Sequence, residues 1–210
     1  MNQNMISEQS TRQPMRGIKN KPLELSKSDL LSPHDRIEDC FHDNKIHFIN
    51  GDICEENMRR AIQWLIYENI ASQPDDVLTI YINSNGGDLY ESFALIDMMY
   101  ASQCKIRTVG LGQIASAAFL IFCSGSKDHR IVGRNTSIMC HQYSSEYGGK
   151  HHELKSFLKE GEYCNQRMLD LIKRNSSLDE SVIKKKLLNS TDAFLTAEEM
   201  VSLGLADQIL

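Results

Sequence analysis

At 210 residues, 41% hydrophobic and 24% charged, the chain has the size and balance of one soluble globular domain with a substantial core. Its net charge of −5 gives no electrostatic footprint for nucleic acid. No run approaches the roughly 18 apolar residues of a membrane helix, and no secretory leader is apparent near Met1, so a cytoplasmic location is expected.

Residues 1–34 are polar and lack hydrophobic periodicity, which reads as a flexible tail or a pro-segment ahead of a domain spanning 35–210. Lys45 to Asn50 reads as a strand. Met58, Ala61, Ile62, Leu65, Ile66 and Ile70 then recur at helical spacing over 54–71. Val77 to Ile82 is a nearly continuous apolar and β-branched run, as in a strand buried on both faces. A dense turn, Asn83 to Asp88, carries Gly86 and Gly87, which permit positive φ and close backbone approach. A helix is expected over 89–102 and a strand over 104–109, with Gly110 and Gly112 breaking that strand. A small-residue helix begins near Ala115, with Ser116 at its start. The alternation of strand and helix predicts βαβ crossovers and a largely parallel sheet.

Further along, 130–132 and 137–140 read as short strands and 143–149 as a polar, extended arm. A long helix over 150–175 could project beyond a compact body and find a partner copy. Two capping boxes, Ser177/Glu180 and Thr196/Glu199, each open a short helix, and Gly204 ends the second. The cysteines are Cys40, Cys54, Cys104, Cys123, Cys140 and Cys164. None forms a C-x-x-C pair, so no metal or redox motif is indicated and free thiols are expected.

Three residues could carry chemistry. A serine at a helix start has free backbone N–H groups beside it and the positive end of the helix dipole, which suits both a nucleophile and its oxyanion. The same placement suits a plain N-cap or a small packing residue. His141 directly follows a strand, where loops reach the ligand crevice of an open sheet, although a structural histidine fits equally. Asp192 lies between two helices beside apolar Phe194 and Leu195. That suggests a packed-down segment whose carboxylate needs a partner such as a histidine N–H, with a solvated turn as the alternative. His47, alternating within a strand, reads as structural, and the other five histidines as solvated.

From about Ile46 to Leu210 the chain resembles the Clp protease proteolytic subunit family. Tyr81-Ile-Asn-Ser-Asn-Gly-Gly87 resembles that family's Tyr-Ile-Asn-Ser-Pro-Gly-Gly stretch. Gly112-Gln-Ile-Ala-Ser116 resembles its Gly-Gln-Ala-Ala-Ser nucleophile motif, and Met139-Cys-His-Gln142 its Met-Ile-His-Gln motif. Asp192 to Ala197 and Gly204 to Asp207 are similar to its C-terminal motifs. The resemblance implies a crotonase-like α/β fold of repeated ββα units with a projecting strand–helix handle, here 143–149 and the helix from 150. It implies a serine endopeptidase with Ser116 as nucleophile, His141 as general base and Asp192 as orienting acid. Gly87 and Ala117 would supply the oxyanion-hole N–H groups. It also implies a homo-oligomeric heptameric ring or double ring, peptide and protein substrates, and an AAA+ unfoldase partner. Any ATP would be used by that partner, and this chain would carry no cofactor.

Four positions depart from the pattern. Asn85 and Tyr143 stand where the family has proline, Ala117 where it has methionine, and Thr191 where it commonly has an arginine that helps pair the rings. With the divergent N-terminal region, these keep open a second reading, a non-autonomous ring subunit that modulates another protease of this type. An acyl-CoA enzyme on the same fold is a third reading, by fold analogy alone.

Overall fold

A computed structural model describes residues 32–210; of the tail expected over 1–34, residues 1–31 lie outside the described residues. Helix α1 (Pro33–Asp43) starts from a reciprocal cap, in which Ser32 Oγ accepts the Asp35 N–H and the Asp35 carboxylate accepts the Ser32 N–H. It buries no residue.

Strand β1 (Ile46–Asn50) leads to α2 (Glu55–Ala71), whose buried Met58, Ala61 and Leu65 form one helical stripe. Strand β2 (Val77–Ser84), helix α3 (Leu89–Ala101) and strand β3 (Lys105–Ala115) follow. Helix α4 (Ala117–Cys123) is buried at every position, as its unbroken apolar sequence requires. Strands β4 (Arg130–Val132) and β5 (Ser137–Cys140) come next, then the long α5 (His151–Arg174) and the short α6 (Glu180–Lys186). The chain closes with β6 (Ala193–Leu195), α7 (Ala197–Ser202) and β7 (Gln208–Ile209).

Among the described residues the strands form one seven-stranded sheet with the path β1-β2-β3-β4-β7; β5 pairs with β3, and β6 with β5. Every pairing is parallel except β5–β6. The fold is thus mixed α/β, built mainly on parallel strands. Its core runs through β2, β3 and α4, with Phe119 and Phe122 among the largest fully buried side chains.

Gly110 and Gly112 do not end the third strand, contrary to the sequence expectation. β3 runs on to Ala115 because Gly112, at φ +62°, makes a kink that the sheet absorbs. The β2–β3 register slips between Ile82 and Ser84, and the Gln113 N–H donates to Asn83 Oδ1 at 3.1 Å. Before the kink β3 pairs with β4 through Thr108–Gly110; after it, with β5 through Gln113–Ala115. The kink therefore hands the strand to the element that carries His141.

Two other expectations change. Ser177 does not cap α6: the N-cap is Asp179, and the loop turns one residue earlier, where Ser176 Oγ donates to Ile172 O and accepts the Leu178 N–H. The arm over 143–149 forms no strand within one chain, where no neighbouring strand is present to pair with it. Instead the Tyr147 ring stacks on Phe157 of α5 with centroids 4.8 Å apart. The first half of α5 buries nothing, and its buried positions are Cys164, Met168, Leu169 and Ile172.

The Thr196/Glu199 capping box forms as its spacing predicts, and Gly204 follows α7 at φ +69°. All six cysteines are unpaired. The C-terminal strand is pinned by a buried ion pair, Arg130 Nη2 to Asp207 Oδ1 at 2.7 Å. Burial opposes the charge of both groups, but their mutual hydrogen bonds outweigh it, raising the arginine pKa and lowering the aspartate's.

Candidate active site

Ser116 sits between fully buried neighbours, Ala115 and Ala117, at the corner where β3 becomes α4. Its backbone has φ 55° and ψ −120°, a conformation that L-residues other than glycine rarely adopt. The surroundings impose it. The Ser116 N–H donates to Met139 O of β5 at 2.9 Å, and its carbonyl accepts the Phe119 N–H at 3.1 Å. The side chain makes no capping bond to the helix. Instead Ser116 Oγ lies 2.7 Å from His141 Nε2. β5 makes this possible: it pairs with β3 up to Ala115–Met139, so Ser116, one residue past Ala115, and His141, two residues past Met139, reach the same end of the sheet.

The glycine turn closes the other side. A Cβ on Gly86, at φ +99°, would stand 2.7 Å from Ala115 O and 2.8 Å from Ser116 Cβ. Only glycine lets this turn lie against the serine corner. At Gly87 a Cβ would overlap Ile53 O. A single parallel bridge joins Gly87 to Ile53 through bonds from Ile53 N–H to Gly86 O at 2.8 Å and from Asp88 N–H to Ile53 O at 2.7 Å. Neither bond uses the Gly87 N–H. The Ala117 N–H opens α4, where no helical carbonyl precedes it. A Cβ on Gly86 would lie 3.2 Å from that nitrogen, so the glycine turn packs against the start of α4.

Asp192 is placed differently. The β5–β6 ladder ends at Cys140–Ala193, so His141 and Asp192 are the next residues across from each other. Among the described residues, however, Asp192 makes no hydrogen bond to the imidazole, and it is exposed. The expected packed-down segment is not found: Phe194 is 68% exposed, because β6 is a three-residue edge strand whose alternate side chains point outward. The structure therefore brings Ser116, His141 and the Gly86-Gly87 turn together and leaves Asp192 beside them.

Residues 32–210 match the Clp protease family. The chain is 33% identical over 162 residues to the ATP-dependent Clp protease proteolytic subunit 2 of Treponema denticola, covering 77% of each chain. It is 28% identical over 166 residues to the subunit of the same name from Thermobifida fusca, covering 79% of this chain and 80% of the relative. The chain belongs to the Clp protease family. It is a Clp-type serine peptidase subunit, a hydrolase of peptide bonds.

Within this Clp protease two further titratable groups, Cys140 beside His141 and His47 on the edge strand β1, are held uncharged by burial. Burial pushes the Cys140 thiol up to about 12, partly offset by a hydrogen bond from the His141 backbone, so a cysteine adjoining His141 stays protonated and inert. His47 stacks on Trp64 with ring centroids 5.3 Å apart. Burial, and then the Arg60 charge, lower its pKa to about 4, which keeps it neutral. No cluster of three His, Cys, Asp or Glu side chains among the described residues is arranged to hold a metal ion, and no described helix is long and apolar enough to cross a membrane.

Sequence reasoning missed two residues that hold the His141 loop. Gln142 Nε2 donates to Leu188 O at 2.8 Å, and Asn165 Oδ1 accepts the Tyr143 N–H at 2.8 Å. Asn165 lies on a long helix 22 residues downstream of Tyr143, and no local pattern signals such a pairing.

Proposed function

We propose that Ser116 is the nucleophile of peptide-bond hydrolysis and His141 its general base. The observation that carries this reading is the 2.7 Å contact between Ser116 Oγ and His141 Nε2 at a strained strand-to-helix corner. A free serine hydroxyl is far too weak an acid to attack unaided. As Oγ bonds to the scissile carbonyl carbon, its proton passes to Nε2 and the carbonyl oxygen becomes an oxyanion. The Gly87 and Ala117 N–H groups receive that charge; one such donor is typically worth ~3 kcal/mol in the transition state. His141 then protonates the leaving amine as the C–N bond breaks. Water repeats the sequence to release the acyl group and restore the serine. Asp192 acts as orienting acid once it closes on the imidazole from its position across the strand end, fixing the tautomer and stabilising the imidazolium.

An extended peptide is the substrate that fits a site at a sheet end, because main-chain pairing needs no particular sequence. On this reading the chain works as a homo-oligomeric ring. It cuts short peptides alone and proteins when an AAA+ unfoldase feeds it; the ATP is spent by that partner, and this chain needs no cofactor. Six free thiols suit a reducing compartment such as the cytoplasm.

The test pairs a fluorophosphonate probe with a short-peptide cleavage assay. Labelling at Ser116 that disappears in Ser116→Ala, together with cleavage, is the expected result. Labelling that survives the substitution overturns the assignment. One observation favours the second reading, a non-autonomous ring subunit that co-assembles with and modulates another protease of this type: Asp192 does not engage His141 within the single chain. Efficient cleavage by a homomeric assembly excludes that reading, whereas negligible cleavage alone together with a mixed complex in pull-downs supports it.

A further inference from the structure

Beyond Cys140 the chain leaves the sheet, and residues 141–148 form no helix or strand. The backbone that carries His141 is therefore free of ladder bonds on its C-terminal side. Two side-chain contacts hold it there. One joins exposed Gln142 to Leu188 O at 2.8 Å. The other is the half-buried bond from the Tyr143 N–H to Asn165 Oδ1 at 2.8 Å.

Asn165 is a firm anchor. It follows Cys164, the first buried position of α5, which is fully buried. The same turn is tied to α3, where Tyr90 Oη lies 3.3 Å from Glu160 Oε1 and 3.8 Å from Cys164 Sγ. The Tyr143 ring passes over Gly161, where an added Cβ would meet its Cδ1 at 3.6 Å.

The residue type at 143 matters. Where the Clp pattern has proline, the chain fixes φ through a ring and has no N–H to donate. Tyr143 gives up that rigidity and gains a donor. We propose that Asn165 is a positioning residue for the proteolytic reaction: its side-chain carbonyl holds the Tyr143 N–H, and through it keeps His141 Nε2 in line with Ser116 Oγ. The inference rests on His141 being the base.

The test is steady-state cleavage of a short fluorogenic peptide by the full chain and its variants. Asn165→Leu removes the acceptor at nearly constant volume and lowers kcat about tenfold or more with KM little changed, since a small misplacement of a catalytic group costs rate more than binding. Asn165→Asp, which still accepts, recovers most of that loss. In a Tyr143→Pro background the ring replaces the bond, so adding Asn165→Leu costs less than about twofold. Tyr143→Phe removes the hydroxyl that bonds Tyr147 and keeps the N–H, so it loses less than Asn165→Leu.

The inference is overturned if Asn165→Leu keeps wild-type kcat, if Asn165→Asp falls as far, or if Asn165→Leu costs the same in both backgrounds. Should Asn165→Leu fail to fold, Asn165→Ala, which also lacks the acceptor, takes its place in both the Tyr143 and Tyr143→Pro backgrounds and decides by the same criteria. Failure of the underlying reading looks different: Ser116→Ala or His141→Ala would then leave cleavage intact.

Discussion

Ser116 and Asp192 lie at the same end of one sheet, yet they are held in opposite ways. Ser116 follows an eleven-residue strand with partners on both sides and precedes a helix that is buried at every position. Its corner is fixed by backbone bonds and by a glycine turn that no side chain can enter. Asp192 precedes a three-residue edge strand that pairs on one side only and carries an exposed phenylalanine. His141 belongs to both regions: its ring is bonded to the serine, while the chain beyond it leaves the sheet. On the proposed roles, the nucleophile is built into the core, where it keeps one strained geometry. On the same proposal, an acid on a short edge can approach or withdraw at little cost, and assembly would act on that side.

The largest expected effects test whether the two regions act as one machine. Ser116→Ala should reduce kcat for peptide cleavage by about 10⁶-fold while the melting temperature stays near wild type. Asp192→Asn should reduce kcat by about 10⁴-fold, because a histidine without its carboxylate partner is held in the wrong tautomer and its imidazolium is not stabilised. Single-turnover cleavage by the assembled protein measures both. If Asp192→Asn loses less than about tenfold, the acid region does not contribute, and Ser116 and His141 work as a dyad.

The same contrast governs what the sequence revealed. The nucleophile region was legible because its signals are local: an apolar strand run, a Gly-Gly turn and an apolar helix following one serine. Even there Gly110 and Gly112 misled, since a glycine kink that transfers a strand to a new partner has the same composition as one that ends it. The acid region was read by apolarity, and Phe194 and Leu195 suggested packing that does not occur. Burial of a short edge strand depends on what covers its outer face, which is a tertiary or quaternary property. The Tyr143–Asn165 bond was invisible for a similar reason, as its partners meet only because α5 folds back past the end of β5. The Ser177 motif failed because Ser176 took the local hydrogen bonds first.

The smaller predictions sharpen the contrast in stability rather than rate. Phe119 is fully buried one turn into α4, just beyond the serine. Phe119→Ala should destabilise the fold by about 3–5 kcal/mol, the usual cost of an aromatic deletion in a core, and cleavage should fall as the Ser116 corner loosens. Phe194 carries the same side chain on the acid side but is 68% exposed. Phe194→Ser should change the stability of the isolated subunit by less than about 0.5 kcal/mol, within the normal range for surface substitutions. Denaturant unfolding of the two variants side by side, at a concentration where the subunit is dissociated, measures the difference directly. Repeating the comparison at a concentration where it assembles asks what covers the edge. If Phe194→Ser becomes costly only there, the outer face of β6 is buried by another copy, and the position of Asp192 beside His141 is tied to assembly. If Phe194→Ser remains silent in both states, β6 stays open to solvent, and Asp192 must close on His141 through its own turn, where Asn189 Oδ1 accepts the Thr191 N–H at 2.6 Å.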